Sequence, residues 1–140
     1  MQLAQNVPKF IKSDPIRIRQ VVINLISNGF KYTSKGGITL HANLLSNSSV
    51  KIAVKDTGLG IKKENLGQLF AEFSKIKEEN DVLLNPNGVG LGLNISNSLA
   101  YYLSPLPKNG ILVTSEWGKG SIFSFQVEDK FSCDMERELF

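Results

Sequence analysis

Gly88-Val89-Gly90-Leu91-Gly92-Leu93 sets three alternating glycines directly before a helical pattern that runs to about Leu103. Without Cβ atoms at these glycines the backbone can come within hydrogen-bonding distance of an anion. The free N–H groups and positive dipole end of a helix start also favour negative charge there. The stretch is therefore a candidate phosphate cradle. Glycine runs before helices also make ordinary tight turns, so this reading rests on what accompanies it.

Upstream, Asp56-Thr57-Gly58-Leu59-Gly60-Ile61 follows the alternating strand pattern Val50, Ile52, Val54. Asp56 thus sits where a strand ends and a glycine-permitted turn begins. A carboxylate fixed there can accept a proton from an exocyclic amine while a flat ring lies on bare backbone, with Ile61 covering one ring face. The plainer account is a turn-capping Asp.

Further upstream, Asp14-Pro15 reads as a helix start, a capping Asp followed by Pro at the first helical position. Ile18, Val22, Leu25 and Ile26 give that helix an apolar face at helical spacing, and Arg17, Gln20, Asn24, Asn28 and Lys31 form a polar stripe on the other. For Arg17 and Gln20 a solvated face suffices. Asn is different, because its side chain competes with the helical backbone, and two in a helix interior cost stability that Lys or Glu would not. Stacked amide oxygens suit a hard cation such as Mg²⁺, which keeps waters and takes further oxygens from substrate phosphates.

Taken in order, Asn24 to Thr33 (NLISNGFKYT), Asp56 to Ile61, Phe70 to Phe73 (FAEF) and Gly88 to Leu93 resemble the N, G1, F and G2 boxes of sensor histidine kinases. The likeness covers nearly the whole chain, and Gly118-Lys119-Gly120-Ser121 followed by Phe123 is similar to the family's closing glycine box. It implies an α+β Bergerat fold: a two-layer α/β sandwich, with helices packed on one face of a mixed sheet and a mobile ATP lid. ATP and Mg²⁺ are the implied cofactors. Asn28 matches the Mg²⁺-coordinating Asn, Asn24 the supporting amide one turn earlier, Lys31 a phosphate contact and Tyr32 an aromatic beside adenine. Asp56 matches the residue that bonds the adenine amino group, and Gly58 and Gly60 the glycines that follow it. Phe70 and Phe73 match the F box at the near end of the lid. Gly88, Gly90 and Gly92 match glycines closing over the phosphates, with Val89 and Leu91 between them and Leu93 following, and Ser121 stands where the family has Ser or Thr near the base.

This chain departs from the pattern in several places. Gly29 stands where Ala is more usual, a helix-weakening change that could allow a close approach. The lid from Ser74 to Asn87 holds fourteen residues, is polar and carries Lys75 and Lys77, with Val82, Leu83 and Leu84 expected to pack when it closes. A loop of that length in a compact domain is one that moves or binds. The phosphate-accepting histidine is absent. The one histidine, His41, lies in the alternating segment 38–44, whose even-numbered residues take the buried face, so it faces the other side as an ordinary surface histidine. The resemblance then implies a catalytic domain, residues 1–128, cut from a parent kinase, with 129–140 as tail or linker. Its partners would be a histidine-bearing dimerisation domain of the same parent and, downstream, a response-regulator receiver. The parent is expected to be homodimeric and this piece monomeric, a cytoplasmic domain of a kinase that can be membrane-anchored.

Composition fits. At 140 residues, with 41% hydrophobic and 21% charged residues, the chain is sized for one domain that buries its own core. Its first ten residues lack an apolar run, no stretch approaches a membrane span, and the lone Cys133 excludes an internal disulfide framework and points to a reducing compartment. A scattered net charge of +3 gives no basis for a nucleic-acid partner. The expected elements are a short strand at 7–11, a helix at 16–32, strands at 37–46 and 49–56, and a short helix at 62–73. A helix at 90–103 and strands at 111–116 and 121–128 follow. Leu40, Ile52, Val54, Val113, Phe123 and Phe125 are the expected inner face of the sheet, against Ile18, Val22, Leu25, Leu93, Leu99 and Leu103 on the helices. Trp117 and the Tyr101-Tyr102 pair are expected to pack in the core and at its rim.

Two mechanisms fit the motifs. Related ATPase clamps carry a water-activating Glu four residues before the Mg²⁺-binding Asn; here that position is Asn24, and an amide takes no proton. Transfer to a histidine is therefore the expected activity, catalysed by Asn24, Asn28 and Lys31 through positioning and charge neutralisation. The alternatives are a non-catalytic nucleotide-binding regulatory module and an ATPase of the clamp kind.

Overall fold

The computed structural model describes residues 2–4, 6–46, 48–70 and 91–130. Among them the elements are β1 (Gln2–Leu3), α1 (Pro15–Tyr32), β2 (Ile38–Ser46), β3 (Ser49–Asp56), α2 (Lys63–Leu66), α3 (Gly92–Leu103), β4 (Leu112–Glu116) and β5 (Gly120–Glu128). The strands form one sheet in the order β1-β2-β3-β5-β4, with β1 parallel to β2 and every other pair antiparallel. The mixed sheet with α1 and α3 laid on one face is the two-layer architecture expected from the motifs.

Helix α1 begins where Asp14 offers its carboxylate to the amides of Ile16 (3.1 Å) and Arg17 (3.0 Å), two of the donors a helix start leaves unpaired, with Pro15 needing no partner. Its inner face buries Val21, Leu25 and Gly29, flanked by the half-buried Ile18, Val22 and Ile26. Helix α3 buries Ser96, Ala100 and Leu103, with Leu93 and Leu99 beside them. The sheet answers with Val54, Phe123, Phe125 and Val127, and with Leu40, Ile52 and Val113 at the margins. All twelve expected inner-face residues lie in this core cluster or pack against it. The alternation missed Val21, Ala100, Ile111 and Val127.

Three expected elements need correction. No strand forms at 7–11; the two-residue β1 lies earlier, and Val7 donates instead to the Ala4 carbonyl in a turn (3.2 Å). Pro8 has no N–H to give a ladder, while Ile11 still packs against the core. The short helix is one turn, 63–66, ending at Gly67, and only turns follow to Phe70. The helix expected at 90–103 begins at Gly92, with Leu91 as its N-cap, while residue 90 lies outside the described residues. The Tyr101, Tyr102 and Trp117 rings all lie at the rim, 48%, 65% and 44% exposed, with Lys62 over the Trp117 ring at 4.7 Å; none is in the core.

Gly29 has a packing explanation: a Cβ there would press on Ile38 Cδ1 at 3.0 Å, so its absence lets β2 close on α1. His41 is half-buried on β2, paired with Ala53 of β3. Asp129 is buried and accepts the Lys12 N–H at 2.9 Å, while Lys130 donates to the Lys12 carbonyl at 3.0 Å.

Candidate nucleotide site

The sheet turns polar at one end. Along the face that meets the helices, Val113, Phe123, Val54 and Leu40 stand side by side across four strands. Two residues further on, the same face carries Ser115 beside Ser121 and Asp56 beside Ile38. The two pairs adjoin, since Ser121 directly precedes Ile122 and Asp56 directly follows Lys55, and Ile122 and Lys55 are paired. Because side chains alternate along a strand, this is the next rung of the core face, and three of its four positions are polar.

Asp56 is the last residue of β3 and is 6% exposed. Its Oδ1 accepts the Gly58 N–H at 2.9 Å, an Asx turn as the plainer account requires. Its Oδ2 has no hydrogen bond among the described residues, which leaves an acceptor available in a buried rung. The turn that follows rests on the end of α1. Leu59 donates to the Tyr32 carbonyl (3.1 Å), and a Cβ at Gly58 would collide with that carbonyl oxygen, so no other residue fits. Gly60 takes φ +73°, and its Cβ would collide with the Glu116 carbonyl oxygen. On the far side the Gly118 N–H reaches Leu59 O at 2.6 Å and the Ile61 N–H reaches Ser115 Oγ at 2.8 Å. Residues 58–61 are thus clasped between the α1 C-terminus and the β4–β5 turn.

The helices meet over the same end. A Cβ at Gly92 would lie 2.6 Å from Asn24 Oδ1, and Asn24 Nδ2 donates to the buried Ser96 Oγ at 2.9 Å. Asn28 follows one turn later and Lys31 lies in the last turn of α1, both half-buried. Tyr32 is 45% exposed. Phe70 packs on the core, and its carbonyl accepts Asn94 Nδ2 of α3 at 2.8 Å. Leu91 and Leu93 flank Gly92 at the helix start. Phe73, Gly88, Val89 and Gly90, and the lid with Lys75 and Lys77, lie outside the described residues.

Of the residues named from the motifs, the structure brings Tyr32, Asp56, Gly58, Gly60, Ile61 and Ser121 together at one end of the sheet, and Asn24 together with Gly92 where α1 meets α3. Sequence reasoning missed Ser115, Thr33 and Asn94. Ser115 carried a signal: it is a serine at the inward step of a strand whose previous inward residue is Val113.

A nucleotide fits what is here. Thr33 Oγ1, at the end of α1 beside Gly58, is buried with no hydrogen-bond partner, a deficit a base or a bridging water would satisfy. The open Asp56 oxygen and the bare backbone at Gly58 suit a flat ring with an amine. For Mg²⁺, Asn28 would offer a hard amide oxygen. Among the described residues no three His, Cys, Asp or Glu side chains cluster to cage a metal, so phosphates and water would complete the shell.

A family model described as histidine kinase-, DNA gyrase B-, and HSP90-like ATPase matches residues 13–130. The chain is 40% identical over 126 residues to hybrid signal transduction histidine kinase B of Dictyostelium discoideum, covering 87% of this chain and 6% of that protein. It is 33% identical over 121 residues to the aerobic respiration control sensor ArcB of Escherichia coli, covering 86% of the chain and 15% of ArcB. Full-length ShkA, solved in complex with AMPPNP, superposes with a TM-score of 0.70 at 28% identity, over 89% of this chain and 24% of ShkA. The chain thus spans a small part of the relatives it matches. It belongs to the histidine kinase-, DNA gyrase B-, and HSP90-like ATPases, as a catalytic ATP-binding domain of the sensor histidine kinase kind.

Proposed function

We propose that this domain binds Mg²⁺-ATP and delivers the γ-phosphoryl group to a histidine on a separate helical domain of its parent protein. A receiver domain would be the next acceptor. In this reading Asp56 accepts from the adenine amino group, Gly58 and Gly60 give the ring a flat bed, and Ile61 and Tyr32 border it. Lys31 and the N–H groups around Leu91 to Leu93 face the phosphates, with Asn28 offering its amide oxygen. Bound Mg²⁺ would neutralise charge on the phosphates. The imidazole nitrogen attacks phosphorus as the bond to the β-phosphate oxygen breaks, and ADP leaves with that electron pair.

The observation that carries transfer over hydrolysis is Asn24. Its position is that of the water-activating Glu in the clamp ATPases, yet its carboxamide ties α1 to α3 through Ser96 at 2.9 Å. It holds the two helices in register and offers no base to a water. Support for a helical partner comes from the open groove of about 530 Å³ between α1 and α3, which reaches Asn24 and Gly92 and is bordered by the exposed Ile16, Ile23 and Ile95. Such an apolar rim beside the phosphate end suits an amphipathic helix.

The test is calorimetric titration with a non-hydrolysable ATP analogue, with and without Mg²⁺, followed by ATP turnover alone and with a histidine-bearing helical domain. Saturable binding strengthened by Mg²⁺, slow turnover alone and acid-labile phosphate on the added domain are expected. Robust hydrolysis by the isolated chain would overturn the transfer mechanism, and absence of binding at millimolar nucleotide would leave a non-catalytic module.

A further inference from the structure

Ser115 is a hydroxyl with three partners and one proton. It accepts the Ile61 N–H at 2.8 Å, lies 3.0 Å from the Gly120 carbonyl and lies 2.9 Å from Ser121 Oγ. The Gly120 carbonyl can only accept, so the Ser115 proton is drawn to it, and the short contact with Ser121 is then made by the Ser121 proton pointing at Ser115. Ser121 is 6% exposed and stands next to Asp56 on the polar rung. With its proton held away, Ser121 presents lone pairs to the space beside Asp56, whose carboxylate also only accepts.

We propose that Ser115, which touches no nucleotide itself, is a positioning residue that makes this end of the pocket acceptor-only and so selects a 6-amino purine over a 6-oxo purine. The inference rests on the nucleotide reading above and assigns its base selectivity to a residue outside the boxes. A 6-amino group donates to Asp56 and meets no competing donor. A 6-oxo group brings an oxygen against acceptors, and the hydroxyl of this rung that could turn and donate to it, that of Ser121, is held by Ser115. Leaving a polar group without its partner is the costly half of such discrimination.

The experiment compares Kd for AMPPNP and for the imidodiphosphate analogue of ITP across variants of the full chain, with melting temperature as the check on folding. In Ser115→Ala, Ser121 loses its acceptor and can turn toward the 6-position, so preference for the adenine analogue is expected to fall by about threefold to tenfold, one net hydrogen bond's worth. Ser115→Thr keeps the hydroxyl on a strand that favours β-branching and is expected to keep the preference. In a Ser121→Ala background, Ser115→Ala is expected to leave the ratio unchanged. A Ser115→Ala variant that weakens both nucleotides equally, or a ratio that shifts as much without Ser121, would overturn the inference and leave Ser115 as support for Ile61. Wild-type chain that binds neither analogue would instead overturn the nucleotide reading, and this inference with it.

Discussion

Asp56 closes a turn and, in the proposed function, would also accept from a base, with each role falling to a different oxygen. Oδ1 closes the turn onto Gly58, and Oδ2 stands open in a buried rung. Asp56→Ala removes both, so nucleotide affinity is expected to fall by about 1.5–3 kcal/mol, the worth of a hydrogen bond to a charged group, as read by calorimetry; undiminished affinity would take Asp56 out of the site. Asp56 was legible in sequence because a strand pattern ended on it and two glycines followed. Thr33 was not, since its buried, unpartnered hydroxyl is created by the close approach of a residue twenty-five positions away, Gly58. Nothing local marks such a meeting. Ser115 lies between: a polar step on an apolar strand face showed that something occupied the position, but its three partners come from β5 and from the turn after β3.

Helix α1 carries the core on one face and the proposed site residues along another, so its start is a sensitive point. The Asp14 carboxylate satisfies two amides there, and its ion pair with Arg17 (3.4 Å) is exposed and adds little. Asp14→Ala is expected to cost about 0.5–2 kcal/mol of folding stability, with Asn at the same place restoring most of it, as measured by urea unfolding. An Ala variant as stable as the parent would show that tertiary packing alone sets the helix start. This element was legible nearly to the residue, since Asp-Pro, a 3.6-residue apolar period and a polar stripe all agreed. The 7–11 segment was not, because Val7, Phe10 and Ile11 supplied strand-forming types while Pro8 and an actual partner for only residues 2–3 decided against a ladder. The helix expected at 62–73 was shortened for a similar reason. Phe70 reaches the core from a turn, and Asn94 of α3 takes its carbonyl.

At the scale of the described molecule, the packing of α1 and α3 on the sheet depends on a few large buried side chains. Phe125 is 1% exposed and lies on β5 opposite Ile52. Phe125→Ala is expected to lower unfolding free energy by about 3–5 kcal/mol, a large share of the total for a domain of this size. The urea midpoint should drop with an unchanged slope, and a small shift would mean that the core closes over the gap. The two-layer arrangement itself could be anticipated from alternation and helical period, because each gives an element one apolar face that must be covered. The strand order could not, since pairing of β3 with β5 depends on which edges meet in space.

That order, β1-β2-β3-β5-β4, places the last described strand between two earlier ones. Strand β4 pairs with β5 and with no other described strand, and Phe125 and Val127, both almost fully buried, also arrive with β5. During synthesis, then, β4 emerges from the ribosome with its partner still unmade, and the Ser115–Ser121–Asp56 rung is completed only when residue 121 is free to move. A nascent chain halted before that point holds an open β3 edge and an incomplete hydrophobic face, the kind of surface that holdase chaperones bind.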